Sequence, residues 1–335
     1  MPKNKIKKIT VVGDGGWGTT LAVLLVKKGF SVTIWGAFPQ YVDEMQKSRF
    51  NLKFLPGIRI PPEVRFEKNL KIALESPLLI FAVPSHFAKS VLQRMKQTKA
   101  DFSTKIVLSV TKGLDFKSLK RISELIEKEL HPQHLAVLSG PTIALEVAQG
   151  IPSSAVVASK SPSASKLLQE IISSGTFRIY TNRDVAGVEW GGGLKNVIAL
   201  ACGVCDGLGF GSNTKAAILT RGLAEIARLG KAMGAQVQTF SGLSGLGDLI
   251  TTSFNESSRN RTVGEQLGKG QTIKDILGKM EMIAEGVETV KTVVKLSRKF
   301  HVPMPISEEV YKIIYRGKSP QRAVQDLMRR KVKSE

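Results

Sequence analysis

The sequence predicts an α/β fold: a doubly wound, mostly parallel sheet in the first half, followed by an all-α C-terminal domain. Three observations carry this. Short β-branched runs alternate with helix-period segments through the first half, which calls for crossover connections and parallel strands. From about Gly187 those runs stop and only long helical patterns follow. Near the chain start, Gly13, Gly15 and Gly18 stand in G-x-G-x-x-G spacing between a strand-like run and a helix-like one.

In chain order, the expected strands are 9–12, 31–35, 78–83, 106–110, 135–138, 155–159 and 177–180. Helical period shows between several of them, as in 21–28 and 118–130. In the second half the expected helices are 188–205, 214–233, 262–269, 286–300, 306–315 and 319–330. The boundary falls at 186/187, giving a dinucleotide-binding domain over 1–186 and a helical substrate or catalytic domain over 187–335. No long linker separates the halves, so the seam between them is the expected working site.

Composition narrows the function classes. The 335 residues are 42% hydrophobic and 23% charged, enough for two cores. The longest apolar stretch, near 197–204, falls far short of the roughly 20 residues a membrane span needs, so stable membrane insertion is not expected. The basic start leads into too short an apolar run for a signal peptide, which makes a cytoplasmic location the expectation. A net charge of +21 would fit a nucleic-acid binder, but the basic residues are spread and 6% aromatics offer no stacking platform. No nucleic-acid partner is expected; the charge reads as a solvated surface that steers anionic ligands. Cys202 and Cys205 form a single C-x-x-C without a histidine or cysteine near in sequence to complete a tetrahedral set. They read as small buried hydrophobes, and no metal is expected.

In its strand–turn–helix context the glycine loop reads as a Rossmann-type dinucleotide site. Gly13 permits the tight turn, Gly15 lets a pyrophosphate approach the backbone, and Gly18 lets helix and strand pack closely. The helix N-terminus adds N–H donors and partial positive charge. A ribose-binding acid is expected about 20 residues further on, at the end of the second strand. That place reads Trp35-Gly36-Ala37-Phe38, with neither an acid for a 2′-hydroxyl nor an arginine for a 2′-phosphate. Arg49 and Lys53 lie further on, and the choice between NAD and NADP stays open.

Ligands of open parallel sheets bind beyond the carboxyl ends of the strands. Three expected strands end in Pro84-Ser85-His86, Thr111-Lys112-Gly113 and Ser139-Gly140-Pro141-Thr142. A surface-loop lysine is the plain reading of Lys112; its Thr and Gly flanks, straight after a buried strand, favour a functional one. His86 reads no better as a site residue than as an exposed one. Lys195 sits inside an apolar helical pattern, where an ammonium is costly unless paired and where desolvation lowers its pKa. Such a group can act as a proton donor near neutral pH, with Asn196 beside it as a neutral partner. The triple glycine just before it favours this over a lysine snorkelling from a helix end. Asp248 stands isolated further on, and Thr262 and Glu265 have capping-box spacing. Arg259 and Asn260 would then precede a helix N-terminus, a place suited to a phosphate dianion; an ordinary surface arginine weighs equally.

The motifs GDGGWGTT, NLKFLPGI, VPSH, VTKGLD, SGPT, GGGLKNVIA, DGLGFGSNTKAAILTRG, GLGDL, SRNR and AEGVET occur in this order over nearly the whole chain. Together they resemble the bacterial NAD(P)-dependent glycerol-3-phosphate dehydrogenases. The resemblance implies a Rossmann domain, an all-helical domain and a homodimer. It implies reversible hydride transfer between NAD or NADP and C2 of a three-carbon phosphate, with dihydroxyacetone phosphate reduced to sn-glycerol 3-phosphate for phospholipid synthesis. It also implies Lys195 as catalytic acid/base and Lys112 as a group that polarises the substrate. Gly140, Thr142, Asp248, Ser258, Arg259 and Asn260 would contact substrate; Gly16, Trp17, Ala144, Arg259, Ile283 and Glu285, with the loop glycines and Lys112, would contact cofactor. Three positions depart from the pattern: Ala37 where a basic residue is frequent, Leu145 before Glu146 where a lysine is frequent, and Gly16 where serine is frequent. A β-hydroxyacid dehydrogenase, with the same two-domain plan and a catalytic lysine, is the alternative; it would prefer a carboxylate substrate.

Overall fold

The structure, a computed structural model, describes residues 6–280 and 284–332. The chain divides into two compact units, Met1–Glu189 and Trp190–Glu335.

The first unit opens with β1 (Lys8–Val12), α1 (Gly16–Lys27) and β2 (Ser31–Trp35), a β-α-β crossover. It continues through α2 (Pro39–Ser48), β3 (Phe50–Asn51), β4 (Leu55–Arg59), β5 (Arg65–Glu67), α3 (Leu70–Ala73), β6 (Leu78–Phe81), α4 (Ser85–Gln97) and β7 (Ile106–Ser109). Then follow β8 (Leu114–Asp115), β9 (Lys120–Arg121), α5 (Ile122–Leu130), β10 (His134–Ser139), α6 (Ala144–Gln149), β11 (Ser153–Ser159), α7 (Pro162–Ile172) and β12 (Phe177–Asn182). Eight strands make one sheet in the order β12-β11-β10-β7-β6-β1-β2-β5. Every neighbouring pair is parallel except β10 and β11.

Alternation along the strands fills two cores, one per face. Val11 and Ile80 pack with Leu21 and Leu25 of α1 and Leu168 of α7. Their chain neighbours Val12, Leu79 and Phe81 pack with Leu92 of α4 and Ile126 of α5 on the opposite face. The chain order runs outward from β1 to β2 and β5, then restarts at β6 on the other side of β1. The glycine loop after β1 therefore sits at a topological switch point, where open sheets take their ligands. All seven expected strands occur; β5 and the two short hairpins, β3–β4 and β8–β9, were not foreseen.

Helix α8 (Val185–Gly207) runs through the division. The second unit continues with α9 (Ser212–Ala232), α10 (Asp248–Phe254), α11 (Arg259–Gly268), α12 (Ile273–Gly278), α13 (Glu285–Phe300), α14 (Pro305–Arg316) and α15 (Pro320–Met328). Its described residues contain no strand. A short 3-10 turn (Val237–Ser241) and a π-helical turn (Leu243–Gly247) lead into α10. Helices α8 and α11 cross at backbone contact. A Cβ on Gly203 or Gly207 would lie 2.0 Å from the Arg261 carbonyl oxygen or 2.2 Å from that of Glu265. From the other side, a Cβ on Gly264 or Gly268 would lie 2.1 Å from the Leu200 oxygen or 2.5 Å from that of Val204. Cys202 and Cys205 lie buried on α8, both reduced, and burial pushes the Cys202 thiol up to about 12.

Helix α11 starts earlier than its sequence indicated. Ser258 is the N-cap, its hydroxyl accepting from the Arg261 N–H at 3.4 Å, so Arg259 and Asn260 belong to the first turn. The Thr262–Glu265 spacing is not a cap; Glu265 pairs along the helix with Arg261 and Lys269. Among the described residues, no helix is long and apolar enough to cross a membrane.

Candidate active site

The glycine loop has the shape a pyrophosphate needs. Gly13 has φ 120°, a value that disfavours side chains, and a Cβ there would lie 2.7 Å from the Ala82 carbonyl oxygen. Gly13 N–H donates to the Trp35 oxygen at 2.8 Å, and Ala82 N–H to the Val12 oxygen at 2.8 Å, which ties the loop to both neighbouring strands. A Cβ on Gly18 would meet the Gly13 oxygen at 2.4 Å and Val11 at 3.1 Å, so α1 lies directly on β1. At Gly15, by contrast, a Cβ would meet nothing within 4 Å. Gly15 is also the N-cap of α1 and brings no side chain to cap it, so the open space adjoins helix-terminal N–H groups. These features fit a dinucleotide phosphate. Gly16 is close-packed for another reason: a Cβ there would lie 2.3 Å from the Phe54 oxygen. Ala144 lies alongside, 3.8 Å from that Cβ position, and its carbonyl accepts from Thr20 Oγ1 at 3.0 Å. Trp17 packs edge-on against Phe177, their ring centroids 6.1 Å apart.

The strand ends bring Lys112, Gly140 and Thr142 together. Lys112 Nζ donates to the Gly140 carbonyl at 2.8 Å and to Thr142 Oγ1 at 3.0 Å. Gly140 has φ 139°, which turns the chain out of β10 towards Thr142. His86 is exposed beside Phe87, with ring centroids 3.9 Å apart.

In the second unit Lys195 is 5% exposed on α8. Its ammonium is ion-paired with Asp248 Oδ1 and donates to Thr252 Oγ1 at 2.6 Å. Asp248 is itself 1% exposed at the start of α10. The pair removes the penalty of an isolated buried charge. Both partners, Asp248 and Thr252, come from α10. The first of the three glycines has a definite occupant. A Cβ on Gly191 would lie 2.5 Å from the Ser244 oxygen, so the π-helical turn seats on α8 and delivers Asp248 to Lys195.

The first turn of α11 lies nearby along the same helix. Gly264, five residues after Arg259, is pinned to α8. Arg259 is exposed and Asn260 is 9% exposed. Asn260 Oδ1 accepts the Gly286 N–H at 2.9 Å, which fixes the N-terminus of α13 where Glu285 stands half-buried. A Cβ on Gly286 would lie 2.9 Å from the Asn196 oxygen, so α8, α11 and α13 converge one residue from Lys195. Ile283 lies outside the described residues. Sequence reasoning missed Thr252, which lies one turn after Asp248 on α10, and Asp14 inside the glycine loop. An acid between the glycines was the available signal for the latter.

Similarity to known proteins agrees with this geometry over almost the full length. The family model for the NAD-dependent glycerol-3-phosphate dehydrogenase N-terminus matches residues 8–165, and that for its C-terminus matches 184–325. The glycerol-3-phosphate dehydrogenase (NAD(P)+) of Citrifermentans bemidjiense is 46% identical, with 98% of this chain and 99% of the relative aligned. That of Geobacter sulfurreducens is 43% identical over the same shares. The crystal structure of the Coxiella burnetii glycerol-3-phosphate dehydrogenase superposes with a TM-score of 0.92 at 37% identity, covering 98% of this chain and 100% of that one. The two matched models, the high identity and the arrangement around the glycine loop and Lys195 lead to one conclusion: the chain belongs to the NAD-dependent glycerol-3-phosphate dehydrogenase family.

Proposed function

We propose that the chain reversibly reduces dihydroxyacetone phosphate to sn-glycerol 3-phosphate, supplying glycerophospholipid synthesis, with Lys195 as the catalytic acid. The first unit serves as the dinucleotide-binding domain and the helical unit as the substrate and catalytic domain. Gly13, Gly15, Gly16, Trp17 and Gly18 hold the cofactor with Lys112, Ala144, Arg259, Ile283 and Glu285. Bound NAD(P)H supplies the hydride that reaches C2 of the ketone. Arg259, Asn260, Ser258 and the N-terminus of α11 take the substrate phosphate, matching a dianion to a guanidinium and helix-terminal N–H groups. Gly140 and Thr142 contact the substrate, and Lys112 adds positive potential where the alkoxide develops.

Lys195 Nζ donates one proton to the carbonyl oxygen and is left as a neutral amine, which regains its proton from water after release. Asp248 holds that nitrogen in place through the cycle, and Thr252 holds a second N–H. The observation that carries this reading is the buried Lys195 ammonium, 5% exposed and held by Asp248 and Thr252. A surface lysine has no such enclosure.

The test is a spectrophotometric assay of NADH and NADPH oxidation with dihydroxyacetone phosphate, run beside 2-keto and 3-keto acids. Turnover confined to the phosphorylated ketone is the expected result. Preference for a carboxylate substrate would overturn it in favour of a β-hydroxyacid dehydrogenase. The protein acts as a homodimer in the cytoplasm on this reading, and sedimentation equilibrium reads the stoichiometry directly.

A further inference from the structure

The end of β2 carries no acid, yet a carboxylate occupies its place. A Cβ built on Gly36 would lie 2.4 Å from Asp14 Oδ2 and 2.9 Å from Asp14 Cγ. Asp14, from the glycine loop, thus fills the space in which a side chain at the end of β2 would begin. Its Oδ2 is buried and has no hydrogen-bond partner among the described residues. The loop around it is held firmly. Asn51 Nδ2 donates to the Asp14 carbonyl at 2.8 Å and to Thr19 Oγ1 at 2.7 Å.

Resting on the dinucleotide reading of this loop, we infer that Asp14 is the residue that receives the adenosine ribose 2′- and 3′-hydroxyls and selects NAD(H) over NADP(H). A buried carboxylate oxygen without donors gains from two hydroxyl donors. A 2′-phosphate dianion brings no donor and a like charge. Burial already pushes the Asp14 carboxyl above its ordinary value, so a diol relieves the site and a phosphate burdens it further. The basic residues that follow are engaged elsewhere. Arg49 Nη1 donates to the Val64 carbonyl at 2.9 Å and its guanidinium lies over Phe66. Lys53 lies over Phe54. Arg94 stacks on Trp35, the residue before Gly36, and so stands at the end of β2.

Equilibrium titration of the full-length protein with NADH and NADPH, read by calorimetry, tests this without turnover. The wild type binds NADH tighter than NADPH by about 10- to 100-fold, the range expected for a charge-assisted hydrogen bond. Asp14→Ala weakens NADH and brings the ratio to about unity. Asp14→Asn keeps the volume, guards against loss of folding, and raises NADPH affinity while retaining part of the NADH affinity. Arg94→Ala leaves the wild-type ratio unchanged. A ratio that does not move in either Asp14 variant, or a wild type that prefers NADPH and loses it with Arg94→Ala, overturns the assignment. A wild type that binds neither nucleotide overturns the dinucleotide reading itself, an outcome distinct from an altered ratio.

Discussion

The end of the parallel sheet and the interior of the helical unit are both built around glycine and lysine, and they part company at Gly15 and in what their lysines touch. At the sheet end, Gly13, Gly16 and Gly18 lie against backbone, but Gly15 leaves space that no described residue fills. In the helical unit, Gly191, Gly203, Gly207, Gly264 and Gly268 are each filled by backbone from another element. The lysines divide likewise. Lys112 is half-buried and reaches neutral oxygens of Gly140 and Thr142, whereas Lys195 is enclosed and ion-paired with Asp248. A glycine or lysine motif read from sequence therefore says that something comes close; only the structure says whether that is a ligand or the chain itself.

The most forceful way to break this comparison is to remove each lysine. Lys195→Ala is expected to lower kcat by about 10³ or more, because it deletes the proton donor, while NADH binding measured by calorimetry survives. Lys112→Ala is expected to cost about 10²-fold, since it removes positive potential and leaves the donor in place. Equal losses in the two variants would erase the distinction drawn between them.

Buried carboxylates sharpen it next. Asp248 faces an ammonium, but Glu225 on α9 is held by neutral donors. The Ile306 N–H donates to its Oε1 at 2.6 Å, and the Ser307 N–H and hydroxyl donate to Oε2 at 3.2 and 3.0 Å. Burial lifts the Glu225 carboxyl from 4.5 to about 7. The folded chain therefore binds a proton that the unfolded chain has already released between those values. Stability falls as pH rises through this window and levels off above about 7, by about 3 kcal/mol from this group. Urea unfolding of wild type and Glu225→Gln at pH 5 and pH 8 isolates that contribution; a difference between the two proteins that is the same at both pH values would contradict it.

The glycines give the smallest effect and the most direct contrast. Gly264→Ala forces a Cβ onto the Leu200 carbonyl and is expected to destabilise the protein by about 2–3 kcal/mol. Gly15→Ala enters open space at an ordinary φ of −69°, so stability should stay within about 0.5 kcal/mol while NADH affinity drops. Denaturant midpoints together with nucleotide titration distinguish the two kinds of glycine.

Much of this was legible in the sequence. Seven strands announced themselves as apolar β-branched runs because the sheet is buried on both faces. β5 did not, since Arg65-Phe66-Glu67 is a short edge strand with charge at both ends. The antiparallel turn between β10 and β11 was hidden by the six-residue α6, too short to register as a crossover or its absence. At the site, Lys195 stood out because a charge inside an apolar helix is conspicuous, but its partner did not. Asp248 reaches it only through a π-helical turn whose Leu-Ser-Gly-Leu-Gly sequence has neither helical nor strand period. Ser258 was passed over as a cap because Thr262 and Glu265 have the spacing of one. Asp14 is hard to read because its carboxylate lies at the end of β2 while its backbone belongs to the glycine loop.

The crossing of α8 and α11 has a further consequence. Backbone rests on backbone there, with no rotamers in between, so the separation of Lys195 from the first turn of α11 works like a fixed calliper. On the proposed function, the reach from a phosphate at one end of the ligand to an oxygen at the other is thereby set by main chain and not by side-chain packing.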